Sequence, residues 1–197
     1  MIRLEPEKIY HLYNHGNAED NLFREEKNYS YFLLKYGEYI NPIAETFAYC
    51  LMPNHFHFLI RIKEEEALRK VLKIKNPTGL TDLSGLISRR FSNFFNAYAK
   101  AYNKRFERVG RLFRSSMKRK LVSDETYLVR LVHYIHYNPV HHGFVKEMED
   151  WTFSSYHAFR SEKKTRLSRN EVIGWFGDQT EFDKMHRWKP ELEEEFY

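Results

Sequence analysis

The chain has 197 residues, of which 42% are hydrophobic and 17% aromatic, and its formal net charge is +5. This length suits one domain, or one domain with an appended tail, and the apolar content argues against a disordered chain. No stretch approaches the roughly 20 consecutive apolar residues of a membrane span, and the first residues lack the apolar run of a signal peptide. The single cysteine, Cys50, excludes an internal disulfide. We therefore expect a cytoplasmic protein with no membrane partner.

The first part of the chain alternates between strand-like and helix-like segments. Residues 8–13 are β-prone, and residues 24–40 place apolar side chains at helical spacing. Residues 45–51 and 55–62 predict two paired strands joined by a turn at 52–54. The second of these strands alternates, with phenylalanine and isoleucine on one face and histidine, leucine and arginine on the other.

The following segments predict two further helices. Residues 63–80 are charged and then rich in turn formers, which favours a loop with a short helix. Residues 81–103 carry apolar side chains with a 3.6-residue period, which predicts an amphipathic helix. Ser123-Asp124-Glu125 supplies a hydroxyl cap and two acids for the last helix, which we expect to end before Asn138-Pro139.

The order of these elements predicts an α+β sandwich, with an antiparallel sheet and helices packed on one face. We place this domain at residues 1–160. Residues 161–197 are less regular and carry no recognisable functional signal, and we interpret them as a C-terminal tail packed on the domain.

A strongly basic segment lies between the last two predicted helices. Residues 103–120 read NKRFERVGRLFRSSMKRK and contain one acid, Glu107. A solvated surface is the simplest interpretation of such a run. Apolar residues are interleaved with the cations, however, and this pattern favours an ordered ribbon with one cationic face, as a nucleic-acid groove requires.

His55 and His57 are the first candidates for chemistry. Two histidines at positions i and i+2 of a strand point to the same face, close enough to share one divalent cation. The alternative is a strand whose exposed face simply carries two histidines, which is the more common meaning of an isolated His-x-His pattern. The Pro-Asn turn before this pair and the hydrophobic residues around it favour the metal site.

Tyr134 and Asn138 are the second candidates, because a spacing of four residues places both on one side of a helix. A phenol has a pKa near ~10, so attack on a phosphate at neutral pH needs a nearby cation or base. A carbonyl ligand from Asn138 would shift metal preference from zinc toward magnesium or manganese. Packing at the edge of the core is the alternative role of Tyr134, Tyr137 is a rival nucleophile, and His133 and His136 are further possible ligands.

Together these segments resemble a known family. The motifs that carry the resemblance are MPNHFHFLI at 52–60, YIHYNPVHHGFV at 134–145, YHLYNHGNAEDNLF near the start, GRLFRSSMKRKLV before the last helix of the domain, and DWTFSSY at 150–156. The chain resembles the single-tyrosine transposases with a His-hydrophobe-His (HUH) motif, and most closely the REP-associated tyrosine transposases. The resemblance covers most of residues 8–160.

The resemblance implies a ferredoxin-like α+β fold and cleavage of single-stranded DNA near hairpins. By position, His55 and His57 would bind Mg²⁺ or Mn²⁺. Tyr134 would attack the scissile phosphate, forming a 5′-phosphotyrosine link and releasing a 3′-OH. Asn138 stands where relatives place a polar metal ligand, typically glutamine in insertion-sequence members. The reaction would be reversible, since a second 3′-OH can attack the phosphotyrosine bond.

The resemblance also implies a DNA surface. The basic ribbon and the helix before it would hold the DNA backbone through Arg89, Arg90, Arg108, Arg111, Arg114, Lys118, Arg119 and Lys120. Two departures from the family pattern bear on DNA contacts more than on the metal centre: His15 replaces arginine in an Arg-Gly-Asn turn, and His141-His142 replaces a common Arg-Ala.

Two other functions compete with a metal-dependent nickase and strand transferase. One is a catalytically inactive, hairpin-binding protein on the same fold, which would keep the basic ribbon but would not need His55, His57 and Tyr134. The other is a histidine-rich hydrolase unrelated to DNA, which would require an acidic ligand that the strand lacks. The sequence leaves open the recognised hairpin, the physiological metal, and whether the protein acts as a monomer or a homodimer. We expect nucleoid association.

Overall fold

The computed structural model describes residues 2–18, 20–74 and 82–190. Four strands form one antiparallel sheet in the order β2-β3-β1-β4. The strands are β1 (Ile9–His15), β2 (Ala44–Met52), β3 (His55–Ile62) and β4 (Lys118–Val122). The helices are α1 (Glu26–Tyr39), α2 (Glu65–Leu72), α3 (Leu83–Arg105), α4 (Glu125–His141), α5 (Tyr156–Phe159), α6 (Arg169–Phe176) and α7 (Gln179–Met185). None of these helices is long and apolar enough to cross a membrane. The predicted α+β class and antiparallel sheet are confirmed.

The first hydrophobic core lies between one face of the sheet and helices α1 and α3. Phe56 and Phe58 of β3 meet Phe32 of α1, whose ring centroid lies 5.3 Å from that of Phe56 and 4.8 Å from that of Phe94 on α3. Burying aromatic rings of this size supplies much of the free energy that stabilises a small domain.

A second core lies on the opposite face, so the prediction that helices pack on one face only is wrong. Leu59 of β3 packs there with Leu131 and Ile135 of α4. Every residue from His55 to Ile60 is buried, and a strand buried on both faces needs cover on both. The alternation of β3 does separate two faces, but the histidine face is covered by α4 rather than by water.

Both ends of α4 differ from the prediction. The N-terminal cap is the carboxylate of Asp124, which accepts hydrogen bonds from the backbone N–H groups of Thr126 and Tyr127, and not the hydroxyl of Ser123. The helix also does not end before Pro139 but continues to His141. A proline in the last turn removes one helical hydrogen bond, and packing of the buried Pro139 turn on the domain outweighs this loss.

The C-terminal segment adds α6 and α7 to the second core, to which it contributes Val172 and Phe182. An ion pair fastens α6 to the sheet, because Arg61 of β3 donates two hydrogen bonds to Glu171, at 2.7 and 2.9 Å. The division of the chain at residue 160 stays a prediction. Residues 75–81 of the predicted loop and helix start, and residues 191–197 of the predicted tail, lie outside the described residues.

Candidate active site

The histidine face of the sheet brings together side chains from two adjacent strands. Strand register places His15 of β1 opposite His55 of β3, and Tyr13 opposite His57. The rings of His15 and His55 are stacked with centroids 4.8 Å apart, and His11 is stacked on His57 at 5.0 Å. Both candidate metal ligands therefore point to one face, as predicted, with their ring centroids 5.4 Å apart.

Hydrogen bonds fix one nitrogen of each candidate ligand. The Nδ1 atom of His55 lies 2.7 Å from Oδ1 of Asn54, an oxygen that can only accept, so Nδ1 carries the proton. The Nδ1 atom of His57 lies 2.8 Å from Nε2 of His11. In both imidazoles Nδ1 is thus engaged and Nε2 is the remaining nitrogen, and a partner on the other nitrogen is typical of metal-ligating histidines.

The imidazoles of this face are neutral at physiological pH. Burial lowers the pKa of His55 to about 3, helped by the nearby His15 and His142. Burial likewise lowers the pKa of His57 well below its usual value, and lowers that of His11 to about 3 with a contribution from Lys120. Neutral imidazole is the form that binds metal ions.

Helix α4 brings Tyr134 and Asn138 to the same place. Tyr134 is buried, and its ring centroid lies 5.6 Å from that of His57, with the ring planes at 86°. Asn138 donates from Nδ2 to the backbone carbonyl of Tyr134 at 2.9 Å, which turns Oδ1 away from the helix. This Oδ1 atom is buried and has no hydrogen-bond partner within the described residues.

The amide of Asn138 also lies beside His55, where its polar contact raises the pKa of His55 against the larger effect of burial. The contact falls short of a full hydrogen bond, since Oδ1 meets no donor in hydrogen-bonding geometry. Among the described residues, no group of three or more His, Cys, Asp or Glu side chains is arranged to hold a metal ion. The groups that would be available to an ion here are two neutral imidazoles and the orphaned amide oxygen of Asn138.

The rival residues of the same helix lie elsewhere. The ring of Tyr137 faces His133, with centroids 6.3 Å apart. The ring nitrogens of His136 lie 2.9 Å from Nε2 of His186 and 2.8 Å from the hydroxyl oxygen of Ser155, in a buried cluster that ties α7 to α4 and β2. His136 thus has structural hydrogen-bond partners, His133 packs against the rings of Tyr137 and His186, and neither is gathered with His55 and His57.

Three other histidines surround the candidate ligands. The sequence alone does not single out His11. The alternation of β1 puts it on one face with Tyr13 and His15, and only the pairing of β1 with β3 brings it beside His57. The resemblance predicts that His15 and His142 bear mainly on DNA contacts. The structure instead packs both against His55, with the His142 ring centroid 4.8 Å away.

The expectation that the basic ribbon presents its cations on one face is wrong. In β4 the register puts Lys118 opposite Tyr13 and Lys120 opposite His11, on the histidine face, whereas Arg119 points to the α3 side and donates to the hydroxyl of Ser88 at 3.3 Å. Successive strand residues alternate, so a run of cations on a strand divides between both faces.

The remaining cations fall into two groups. Arg108 is half-buried and engaged in an ion pair with Asp20, and it donates to the backbone carbonyl of Arg111, so its role here is structural. Exposed or half-exposed positions on α3 and in the segment before β4 are held by Arg89, Arg90, Arg111 and Arg114.

An open groove of about 680 Å³ runs between α3 and the segment before β4. Aromatic side chains of Phe95 and Phe113 and the cations of Arg111 and Arg119 line it, together with several serines. A cationic groove with aromatic rings fits the backbone and bases of a single strand. It lies on the side of β4 opposite to the histidines.

Comparisons with known proteins identify relatives by sequence. A Haemophilus influenzae protein whose name assigns it to the REP-associated tyrosine transposases is 28% identical over 113 residues, 57% of this chain and 59% of that protein. The REP-associated tyrosine transposase of Escherichia coli is 41% identical over 57 residues, 28% of this chain and 30% of that protein. The chain thus spans less than two thirds of either relative, and no family model matches it.

A comparison of structures points the same way. The solved structure of a REP-associated tyrosine transposase bound to a REP hairpin matches with a TM-score of 0.61 at 16% identity, covering 82% of this chain and 84% of the other. At this identity the match demonstrates a shared fold. In sequence and in fold, the chain is therefore similar to the REP-associated tyrosine transposases, and the resemblance predicted from its motifs is confirmed.

Proposed function

We propose that the chain is a metal-dependent endonuclease and strand transferase that cleaves single-stranded DNA near hairpins through a covalent intermediate on Tyr134. The observation that carries the proposal is the contact between Tyr134 and His57, with centroids 5.6 Å apart, in a face of neutral histidines. The names of the two relatives support a transposase-like activity. The description of the solved neighbour as bound to a REP hairpin supports a hairpin as the DNA partner.

The chemistry is a transesterification. The phenolic oxygen of Tyr134 attacks the phosphorus, a new P–O bond forms to the tyrosine, and the bond to the 3′-oxygen breaks. The phenolic proton leaves to solvent, and the departing 3′-oxygen takes up a proton from solvent. The 5′-phosphate stays on Tyr134 until another 3′-OH reverses the step. Mg²⁺ or Mn²⁺, when bound by His55, His57 and Asn138, supplies positive charge to the scissile phosphate and the leaving oxygen.

The chain's own residues prepare this reaction in two ways. The sheet fixes both imidazoles with Nδ1 engaged, and the hydrogen bond of Asn138 to its own helix aims the amide oxygen outward. Such fixed geometry lowers the cost of assembling a catalytic site at the moment of reaction. Tyr134 faces His57 within a single chain, which supports attack within the protomer that holds the metal.

The basic side chains supply the DNA surface of this proposal. Lys118 and Lys120 lie on the histidine face and Arg111 and Arg119 line the groove behind β4, so a strand passing over this edge would meet cations on both sides. Phosphate contacts of this kind fix the position of the DNA and make binding sensitive to salt. A protein acting on chromosomal hairpins would work in the cytoplasm, at the nucleoid.

Cleavage of labelled hairpin DNA from the gene's flanks tests the proposal. We expect the single-stranded form, but not the same sequence as a duplex, to be nicked in Mn²⁺ or Mg²⁺ and left intact with a chelator. The variant His57→Ala should bind the hairpin without cleaving it, whereas His186→Gln, which alters a buried histidine away from the site, should still cleave. Hairpin binding by the wild-type protein with no cleavage in either metal would instead identify an inactive hairpin-binding protein.

A further inference from the structure

His11 is a buried polar side chain that the proposed reaction does not use. It is 1% exposed, lies on β1, one of the two inner strands, and its Nε2 atom is 2.8 Å from Nδ1 of His57. The two rings are stacked with centroids 5.0 Å apart and planes at 19°. On the neighbouring edge strand, Lys120 stands directly opposite His11.

The contact between the two imidazoles has two possible proton arrangements. If His11 donates from Nε2, then the proton of a neutral His57 lies on Nε2, and His57 has no lone pair left for an ion. If His57 donates from Nδ1, its Nε2 keeps the lone pair, and His11 is the acceptor. Only the second arrangement allows His57 to be a ligand.

We propose that His11 is a positioning residue, which accepts the Nδ1–H of His57 and so holds its Nε2 lone pair ready for the divalent cation. The inference rests on the proposed function, because it assumes that His57 is a metal ligand. It places His11 in the same relation to His57 that Asn54 has to His55, where the amide oxygen accepts from Nδ1 at 2.7 Å. Each candidate ligand then has its own acceptor.

Packing alone does not account for a histidine at this position. Position 11 is buried on the sheet face that packs against α4, beside apolar residues of the second core, where a leucine would fill the space without a polar group to satisfy. An imidazole there needs a partner, and its Nε2 atom meets Nδ1 of a candidate ligand. The protein has another buried imidazole pair, His136 and His186 at 2.9 Å, which serves as an internal comparison because neither belongs to the donor set.

The experiment uses the full chain with Mn²⁺ as the probe. His11→Leu removes the acceptor, while His11→Gln restores an oxygen acceptor near the position of the imidazole Nε2. The matched control is His186→Gln, which changes the other imidazole pair. Mn²⁺ affinity is measured by electron paramagnetic resonance without DNA. The His57 tautomer of the metal-free wild-type protein is read from ¹⁵N chemical shifts, and thermal unfolding checks that each variant folds.

We expect His11→Leu to weaken Mn²⁺ binding about 10- to 100-fold, the usual effect of losing an outer-shell partner. His11→Gln should recover most of the affinity, and His186→Gln should retain it. The metal-free wild-type protein should carry the His57 proton on Nδ1. This last readout and His11→Gln keep the test decisive if His11→Leu does not fold.

Other outcomes separate two kinds of failure. Three results would overturn the role of His11 and leave the proposed function standing. The first is undiminished Mn²⁺ binding in His11→Leu, and the second is a loss of binding in His11→Gln as large as that in His57→Ala. The third is a proton on Nε2 of His57. Absence of Mn²⁺ binding in the wild-type protein would overturn the metal site itself, and the role of His11 with it.

Discussion

His57 and Tyr134 face each other between the sheet and α4, with ring centroids 5.6 Å apart and ring planes at 86°. One residue comes from a strand in the middle of the sheet and the other from the helix that covers it. Both elements are buried and tightly packed, so the contact is fixed by the fold of one chain. A candidate ligand and a candidate nucleophile therefore meet within one chain.

The amide oxygen of Asn138 gives a first prediction. We expect Asn138→Ala to weaken Mn²⁺ binding by about tenfold or more, because it removes the orphaned oxygen from the donor set. Asn138→Gln keeps an amide oxygen and should retain most of the affinity. Calorimetric titration with Mn²⁺ measures both. Equal Mn²⁺ affinity in Asn138→Ala and the wild-type protein would remove Asn138 from the donor set.

The salt dependence of hairpin binding gives a second prediction, from two matched arginines. Arg114 is exposed before β4, whereas Arg108 is engaged with Asp20. In Arg114→Ala, the slope of log K against log salt should fall by about 0.7 for a lost contact with a single-stranded phosphate. Arg108→Ala should leave the slope unchanged and lower the melting temperature. Fluorescence anisotropy at several salt concentrations measures the slope, and a reversed pattern would contradict the assignment.

Stability at low pH gives a third prediction. His186 is surrounded by His133 and His136 of α4, by Tyr156 of α5 and by Arg160. Burial lowers the pKa of His186 to about 3 and that of His133 to about 4. Both values lie below the 6.5 of an ordinary histidine. Below pH 6.5 the unfolded chain therefore binds more protons than the folded chain does.

The contribution of these histidines to stability is thus complete above pH 6.5 and is lost as pH falls toward their folded-state pKa values. Each lowers the free energy of unfolding by up to about 1.4 kcal/mol per pH unit in this window. Urea unfolding across this range measures the slope. His186→Gln should make the slope shallower, and a slope equal in this variant and the wild-type protein would refute the prediction.

Much of this architecture is predictable from the sequence because strong local patterns carry it. The alternation of β3 predicts residues 55–62, and the structure gives His55–Ile62. The four-residue spacing of Tyr134 and Asn138 places them on one side of a helix, and in the structure Tyr134 lies beside His57 and Asn138 beside His55. In both cases the spacing along the element alone decides which side chains share a face.

What the sequence does not predict depends on tertiary contacts. The role of His11 requires the register between β1 and β3, and the ion pair of Arg108 with Asp20 joins distant parts of the chain. The helix that continues past Pro139 is stabilised by packing that local preference does not contain. In each case the structure depends on a contact that forms only in the folded protein, and local sequence preferences do not contain it.

The central claim is that Tyr134 becomes covalently joined to DNA, and a denaturing gel tests it most directly. Labelled single-stranded hairpin DNA is incubated with Mn²⁺ and the wild-type protein, Tyr134→Phe, or the matched variant Tyr137→Phe. We predict a metal-dependent protein–DNA band in the wild-type protein and in Tyr137→Phe, with the adduct mapped to Tyr134 by mass spectrometry, and no band in Tyr134→Phe. A band that persists in Tyr134→Phe, or that disappears in Tyr137→Phe while the variant remains folded, would contradict the account.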